Sequence, residues 1–161
     1  MTFKLSEQLD HIGNPNLPFE IYQNYVEQNK HRFPESVLKV MGSEKWYPYD
    51  TNLVSMEILE FPVVGSAESL EQKPTLKLVL DNTDDIENRY QVELTYTGLF
   101  EFEIPKTAAN GLTFRYEEIL FFSAYHSHDI KDKMFTHKIE WVGGTVWSIT
   151  ARELAMRCIT P

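Results

Sequence analysis

The chain has only one cysteine among its 161 residues, Cys158, so no internal disulfide can form. So little cysteine is typical of a reducing compartment. No apolar run reaches the roughly 18 residues that a membrane-spanning helix needs, and the N-terminus lacks the apolar stretch of a secretory signal. No internal repeat or low-complexity block is present. These absences predict a soluble, cytosolic protein with its own hydrophobic core.

Motifs for catalysis and for metal binding are also missing. The sequence has no G-x-S-x-G or S-x-x-K nucleophile motif, no G-x-x-x-x-G-K-[ST] phosphate loop, and no HExxH or CxxC. His126 and His128 have the spacing of two ligands on one strand, with His137 as a possible third, but their polar surroundings favour a solvated loop. Cys158 follows apolar neighbours and is expected in the core. We therefore expect no enzymatic activity, no cofactor and no metal.

Basic residues are scarce in the middle of the chain. Between Glu44 and Glu103 there are thirteen Asp or Glu and four Lys or Arg, a net charge of −9, and the whole chain is also at −9. Nucleic acid and anionic membranes both need Lys or Arg to neutralise phosphates, so neither is an expected partner. The charge favours a basic protein instead.

Hydrophobic periodicity predicts helices first and strands afterwards. Phe19, Tyr22 and Val26 recur at helical spacing, and a second short helix is expected from Pro34, with Gly42 ending it. Residues 1–43 are thus predicted as loop and helices, and residues 50–159 as mainly antiparallel strands, because apolar residues alternate there. The expected fold is one α+β domain, residues 1–161, whose N-terminal helical region packs on a twisted antiparallel β-sheet.

Individual strand signals fall at residues 54–58, 76–80, 90–96, 100–104 and 114–122. The sequence from His137 to Ile149 predicts a β-hairpin with Gly143 and Gly144 in its turn. Two points stay open at this level. Gly98 fits a kink in one long strand or a turn between two, and residues 152–159 fit a strand or a short helix.

Two groups of residues are candidates for binding a partner. The first is acidic: carboxylates on the outward phase of strands and in the loop after residue 80, expected to share one exterior surface, are Glu57, Asp81, Asp84, Asp85, Glu87, Glu93, Glu101 and Glu103. The second is aromatic, because Trp and Tyr dominate binding hot spots: Trp46, Tyr47 and Tyr49. The alternatives are a solvated face that protects sheet edges, and aromatic side chains that fill the junction between helix and sheet.

The short alternating strands, the acidity and the hairpin sequence HKIEWVGG followed by WSITA resemble the bacterial immunity proteins of contact-dependent and polymorphic toxin systems. This resemblance implies a cytoplasmic antitoxin that binds one toxin domain, commonly a basic nuclease, and occludes its active or substrate-binding surface. The expected function is therefore an acidic protein-binding inhibitor. The alternative is a small-ligand or peptide-binding, chaperone-like β domain, whose pocket would be lined by Phe100, Phe102, Trp141 and Trp147.

Overall fold

The computed structural model describes residues 17–43, 51–59, 74–82, 90–104, 114–122 and 133–159. Its helical elements are α1 (Leu17–Gln28), a 3-10 helix (Lys30–Arg32) and α2 (Glu35–Met41). The strands are β1 (Asn52–Leu59), β2 (Thr75–Asp81), β3 (Gln91–Thr97), β4 (Glu101–Glu103), β5 (Phe114–Phe122), β6 (Met134–Trp141), β7 (Val146–Ala151) and β8 (Glu153–Ile159). Residues 152–159, left open by the sequence, therefore form a strand after the bend at Arg152. Among the described residues, no helix is long and apolar enough to cross a membrane.

The second helix begins and ends where its sequence predicts. Pro34 is the N-cap of α2, a position where its missing N–H costs no intrahelical hydrogen bond. Gly42 is the C-cap and donates its N–H to the carbonyl of Leu38. Val37 and Val40, three residues apart, are buried on one side of the helix.

The strands form two four-stranded antiparallel sheets. The first has the order β1-β2-β3-β8 and the second the order β4-β7-β6-β5. In β2 and β3 every second side chain is buried, as their alternating sequences predict. The α+β class and the antiparallel pairing are confirmed, with the strands divided between two sheets.

A bent two-stranded ribbon connects the two sheets. β3 continues into β4 through Gly98, and β7 continues into β8 through Arg152. Gly98 has a φ of 70°, and a Cβ placed on it would lie 3.0 Å from the Cβ of Arg152. The N–H of Arg152 is donated to the carbonyl of Thr97 across this corner. Gly98 is therefore the kink at which the chain leaves one sheet for the other.

Side chains from both sheets and from the helical region share one hydrophobic core. Tyr96 of the first sheet and His137 of the second meet there, with Tyr96 Oη 2.7 Å from His137 Nδ1. The rings of Trp141 and Trp147 pack edge to face with centroids 5.0 Å apart. His137 is fully buried, so this candidate metal ligand is a core residue bonded to a tyrosine.

Each helix is hydrogen-bonded to one edge of a sheet. The hydroxyl of Tyr22 on α1 donates to the carbonyl of Ile119 at 2.9 Å and accepts its N–H at 2.6 Å. On α2, the Ser36 Oγ accepts the N–H of Leu154 at 3.1 Å. All three bonds engage backbone groups of an edge strand, β5 for Tyr22 and β8 for Ser36. This confirms the predicted packing of the N-terminal helical region on the sheet.

Candidate protein-binding surface

The described carboxylates of the predicted acidic surface do not lie together. Glu57 and Glu93 are on the outer face of the first sheet, where their neighbours on β2 are Lys77 and Val79. Glu101 and Glu103 are on the outer face of the second sheet. Both sheets turn their inner faces to one core, so their outer faces point in different directions. The expectation of a single surface is therefore wrong, because the corner at Gly98 separates the two pairs.

Glu93 is neutralised within the protein. Its Oε2 lies 3.2 Å from Nη2 of Arg157, which is directly opposite on β8, and its Oε1 lies 3.8 Å from Nζ of Lys77. The side chain is only 14% exposed. An ion pair of this kind leaves little charge for a partner, so Glu93 is a poor candidate for the binding surface.

Asp81 lies inside the fold. It is the last residue of β2 and is 2% exposed, although the sequence suggested a loop carboxylate. Gln91, its register partner on β3, donates its side-chain N–H to Asp81 Oδ2 at 3.2 Å. Burial by neighbouring strands removes Asp81 from the binding surface.

Several candidates lie outside the described residues: Trp46, Tyr47, Tyr49, Asp84, Asp85, Glu87, His126 and His128. Their roles stay predictions. Within the described part of the chain, no group of three or more His, Cys, Asp or Glu could hold a metal ion. Cys158, expected in the core, is exposed, because it lies on the edge strand β8.

Four consecutive exposed residues, the segment Phe100–Glu103, comprise strand β4 and the residue before it. Phe100 is 60% and Phe102 37% exposed, although alternation predicts that Phe102 faces the core. Among the described residues, no cation forms an ion pair with Glu101 or Glu103. This segment, which we call the β4 strip, therefore presents two aromatic rings beside two unneutralised carboxylates.

The same geometry removes the proposed ligand pocket. Trp141 and Trp147 are buried at 0% and 4% exposure, whereas Phe100 and Phe102 are at the surface. The four rings therefore do not line one open cavity, so this lining is wrong, and a ligand-binding or peptide-binding role stays a prediction.

The backbone N–H and C=O groups of β4 face β7 at some residues and point away from the sheet at others. Trp141 donates its N–H to the carbonyl of Thr145, the residue opposite it in the β6–β7 pair. The backbone hydrogen bonds between β6 and β7 are therefore made by odd-numbered residues. Because successive residues of a strand bond to opposite sides, the even-numbered residues of β7 bond to β4. Glu101 and Glu103 are in register with even-numbered residues of β7. Their backbone groups face β7, and the N–H and C=O of Phe102 point away from the sheet.

Strand β1 is the second edge with exposed apolar side chains. Val54 is 55%, Met56 43% and Ile58 39% exposed. In register, Met56 and Ile58 are opposite Leu78 and Leu76, which are fully buried. The sequence predicts all three for the dry face of the sheet. Alternation in the sequence indicates which side chains share a face of the strand. It does not show that β1 is at the edge of its sheet, where that face is exposed.

No protein-family model, curated protein or solved structure matches this chain. Its function must therefore be inferred from the arrangement of its own residues.

Proposed function

We propose that this protein is an acidic inhibitor that binds a basic protein, a cytoplasmic immunity protein that neutralises a toxin domain by covering its active or substrate-binding surface. The β4 strip carries this proposal. Exposed aromatic rings supply the apolar contact area that anchors interfaces, and unneutralised carboxylates beside them select a cationic partner.

The charge distribution supports a basic partner over a neutral one. Glu93 shows that cations of this protein neutralise carboxylates where they are close. Glu57, Glu101 and Glu103 are exposed and have no such partner among the described residues. At a net charge of −9 the protein repels acidic surfaces and attracts basic ones, which speeds encounter with a toxin that binds phosphates.

The rings and the carboxylates have different kinetic roles in this proposal. Charges act at a distance and raise the association rate, an effect that salt screens. Phe100 and Phe102 act after contact by excluding water, so they set the dissociation rate. Truncation of either ring to Ala should therefore speed dissociation at every salt concentration.

The test begins with affinity capture from the native host, followed by stopped-flow association with the captured protein. We expect Glu101→Lys combined with Glu103→Lys to slow association about tenfold or more at low salt and to have less effect at high salt. The matched control is Glu35→Lys combined with Glu153→Lys, which changes the same charge at exposed positions outside the strip. Its association should slow much less.

Inhibition is the second part of the test. One equivalent of the protein should abolish the catalytic activity of the captured partner, and the strip variant should need a large excess. An acidic partner, or a partner whose activity persists when the protein is bound, would contradict the proposal. Equal association rates for the strip variant and its control would also contradict it.

A further inference from the structure

The backbone of β1 offers hydrogen-bonding groups on the side away from β2. Leu154 on β8 donates its N–H to Ser36, on the side away from β3. The backbone hydrogen bonds between β8 and β3 are therefore made by the odd-numbered residues of both strands. Successive residues of a strand direct their backbone hydrogen bonds to opposite sides, so β3 is hydrogen-bonded to β2 through its even-numbered residues. The hydrogen bond from the N–H of Asn82 to the carbonyl of Tyr90, an even-numbered pair, agrees.

It follows that β2 bonds β1 through its odd-numbered residues. Lys77 is in register with Glu57, so the backbone of Glu57 faces β2. The N–H and C=O groups of Met56 and Ile58 point the other way, and no described strand lies on that side of β1. An edge of this kind is a template for a further strand.

The side chains of β1 indicate the sequence of such a strand. Met56 and Ile58 are exposed on the core side, where an added strand would cover them with apolar residues. Glu57 is exposed on the opposite face. Lys77, its register partner, directs its Nζ to Glu93, 3.8 Å away. A residue added opposite Glu57 would therefore be favoured if it were Lys or Arg.

The surrounding sequence reinforces this charge preference. From Trp46 to Gln72 the chain has five acidic residues and no Lys, Arg or His. We infer that β1 receives an extended segment of the basic partner, antiparallel or parallel, in which apolar residues covering Met56 and Ile58 alternate with Lys or Arg beside Glu57. This inference rests on the proposed function and specifies how part of the partner is bound.

Two other arrangements fit the structure less well. A second copy of the chain would bring another net charge of −9 to the same edge and offer Glu57 no cation from its own β1. Only three residues of the β4 strip are in a strand, and among them only Phe102 has an outward-pointing N–H and C=O. Strand β1 has eight residues. The longer edge is the better template for strand addition.

The inference is tested with two synthetic peptides, an eight-residue alternation of Lys and Val and its matched alternation of Glu and Val. Backbone amide exchange of the full chain is followed by NMR. We expect the Lys/Val peptide to slow exchange at Met56 and Ile58 at least tenfold, because both amides gain hydrogen bonds. The Glu/Val peptide should have no effect.

Variants then separate charge from backbone pairing. Glu57→Lys should reverse the preference, so that the Glu/Val peptide binds and the Lys/Val peptide does not, while Glu153→Lys on β8 should leave it unchanged. Met56→Pro removes an outward N–H that does not bond β2 and should abolish binding, whereas Met56→Val should retain it. If Met56→Pro fails to fold, the charge reversal alone decides.

Three results would overturn the inference: protection at residues other than those of β1, equal binding of both peptides, or a dimer in sedimentation whose Met56 and Ile58 amides are protected without peptide. Its failure is distinct from failure of the proposed function. If β1 variants bind the captured partner normally while the β4 strip variant does not, the proposed function stands and only the strand addition is wrong.

Discussion

A single hydroxyl group, that of Tyr22, satisfies both backbone groups of Ile119 at the outer edge of β5. The two bonds join residues 97 positions apart in the sequence. Because an edge strand has no neighbour on its outer side, its N–H and C=O need another partner. The tyrosine supplies that partner and also directs the rest of α1 onto the protein.

Tyr22→Phe should therefore lower the free energy of unfolding by about 1–3 kcal/mol, since the ring remains while both hydrogen bonds are lost. Urea denaturation measures the change, and amide exchange at Ile119 should become faster. The exchange of Leu154, whose N–H is bonded to Ser36, serves as the internal control and should change less. Unaltered exchange at Ile119 would show that the hydroxyl does not protect this edge.

Two glutamates on the same face of one sheet can have different surroundings. Glu57 and Glu93 are both on the outer face of the first sheet, yet Glu93 is held by Arg157 and Lys77 while Glu57 is exposed. The difference arises from position in the sheet. β3 has a strand on each side that provides cations, and β1 is at the edge.

Among the elements, the corner at Gly98 determines which strands share a sheet. Its φ of 70° is in the left-handed region, where a side chain costs about 1–2 kcal/mol. The carbons of Arg152 also lie within 3.0–3.2 Å of the position a Cβ would take. Backbone conformation and space thus both require glycine.

Gly98→Ala should destabilise the protein more than Gly143→Ala does. Gly143 also has a positive φ, 104°, but no atom lies within 4 Å of its Cβ position. The steric contact with Arg152 is a cost that Gly143→Ala does not have, and thermal unfolding of both variants measures the two losses. Equal losses would mean that the corner adjusts to the extra carbon.

Local elements were predictable because their signals are local. Pro34 and Gly42 delimit α2, and Gly143 and Gly144 adopt the positive φ values expected in the hairpin turn. Alternation located β2 and β3 because both have a buried and a solvated face. In each case the residues that decide the structure are close together in the sequence.

The candidate site was less predictable because it depends on which strand lies beside which. Asp81 follows the outward phase of β2, yet neighbouring chain buries it. Phe102, Met56 and Ile58 follow the inward phase, yet they are exposed because their strands are at sheet edges. Strand order depends on contacts between distant residues, such as Thr97 with Glu153, and no local pattern contains them.

At the scale of the whole molecule, a net charge of −9 opposes compaction through self-repulsion. We expect the midpoint of thermal unfolding to rise by a few degrees as sodium chloride increases from low to moderate concentration at pH 7, because salt screens that repulsion. Differential scanning calorimetry measures the shift.

A charge variant provides the control for this salt effect. Glu57→Lys with Glu101→Lys changes two exposed positions on different sheets, each by +2, so that −9 becomes −5. Its unfolding midpoint should depend less on salt than that of the unaltered protein. The same salt dependence in both would exclude net charge as the cause.

The three hydrogen bonds that the N-terminal helices make to edge strands also affect how the protein forms during translation. Both helices leave the ribosome before the strands they protect, and the Ser36–Leu154 bond closes a loop of 118 residues. Contacts between residues so far apart slow folding, because the intervening chain loses conformational entropy before the stabilising contact forms. Nascent chains that end before β8 therefore lack the partner of Ser36, so this edge contact forms only after β8 has been synthesised.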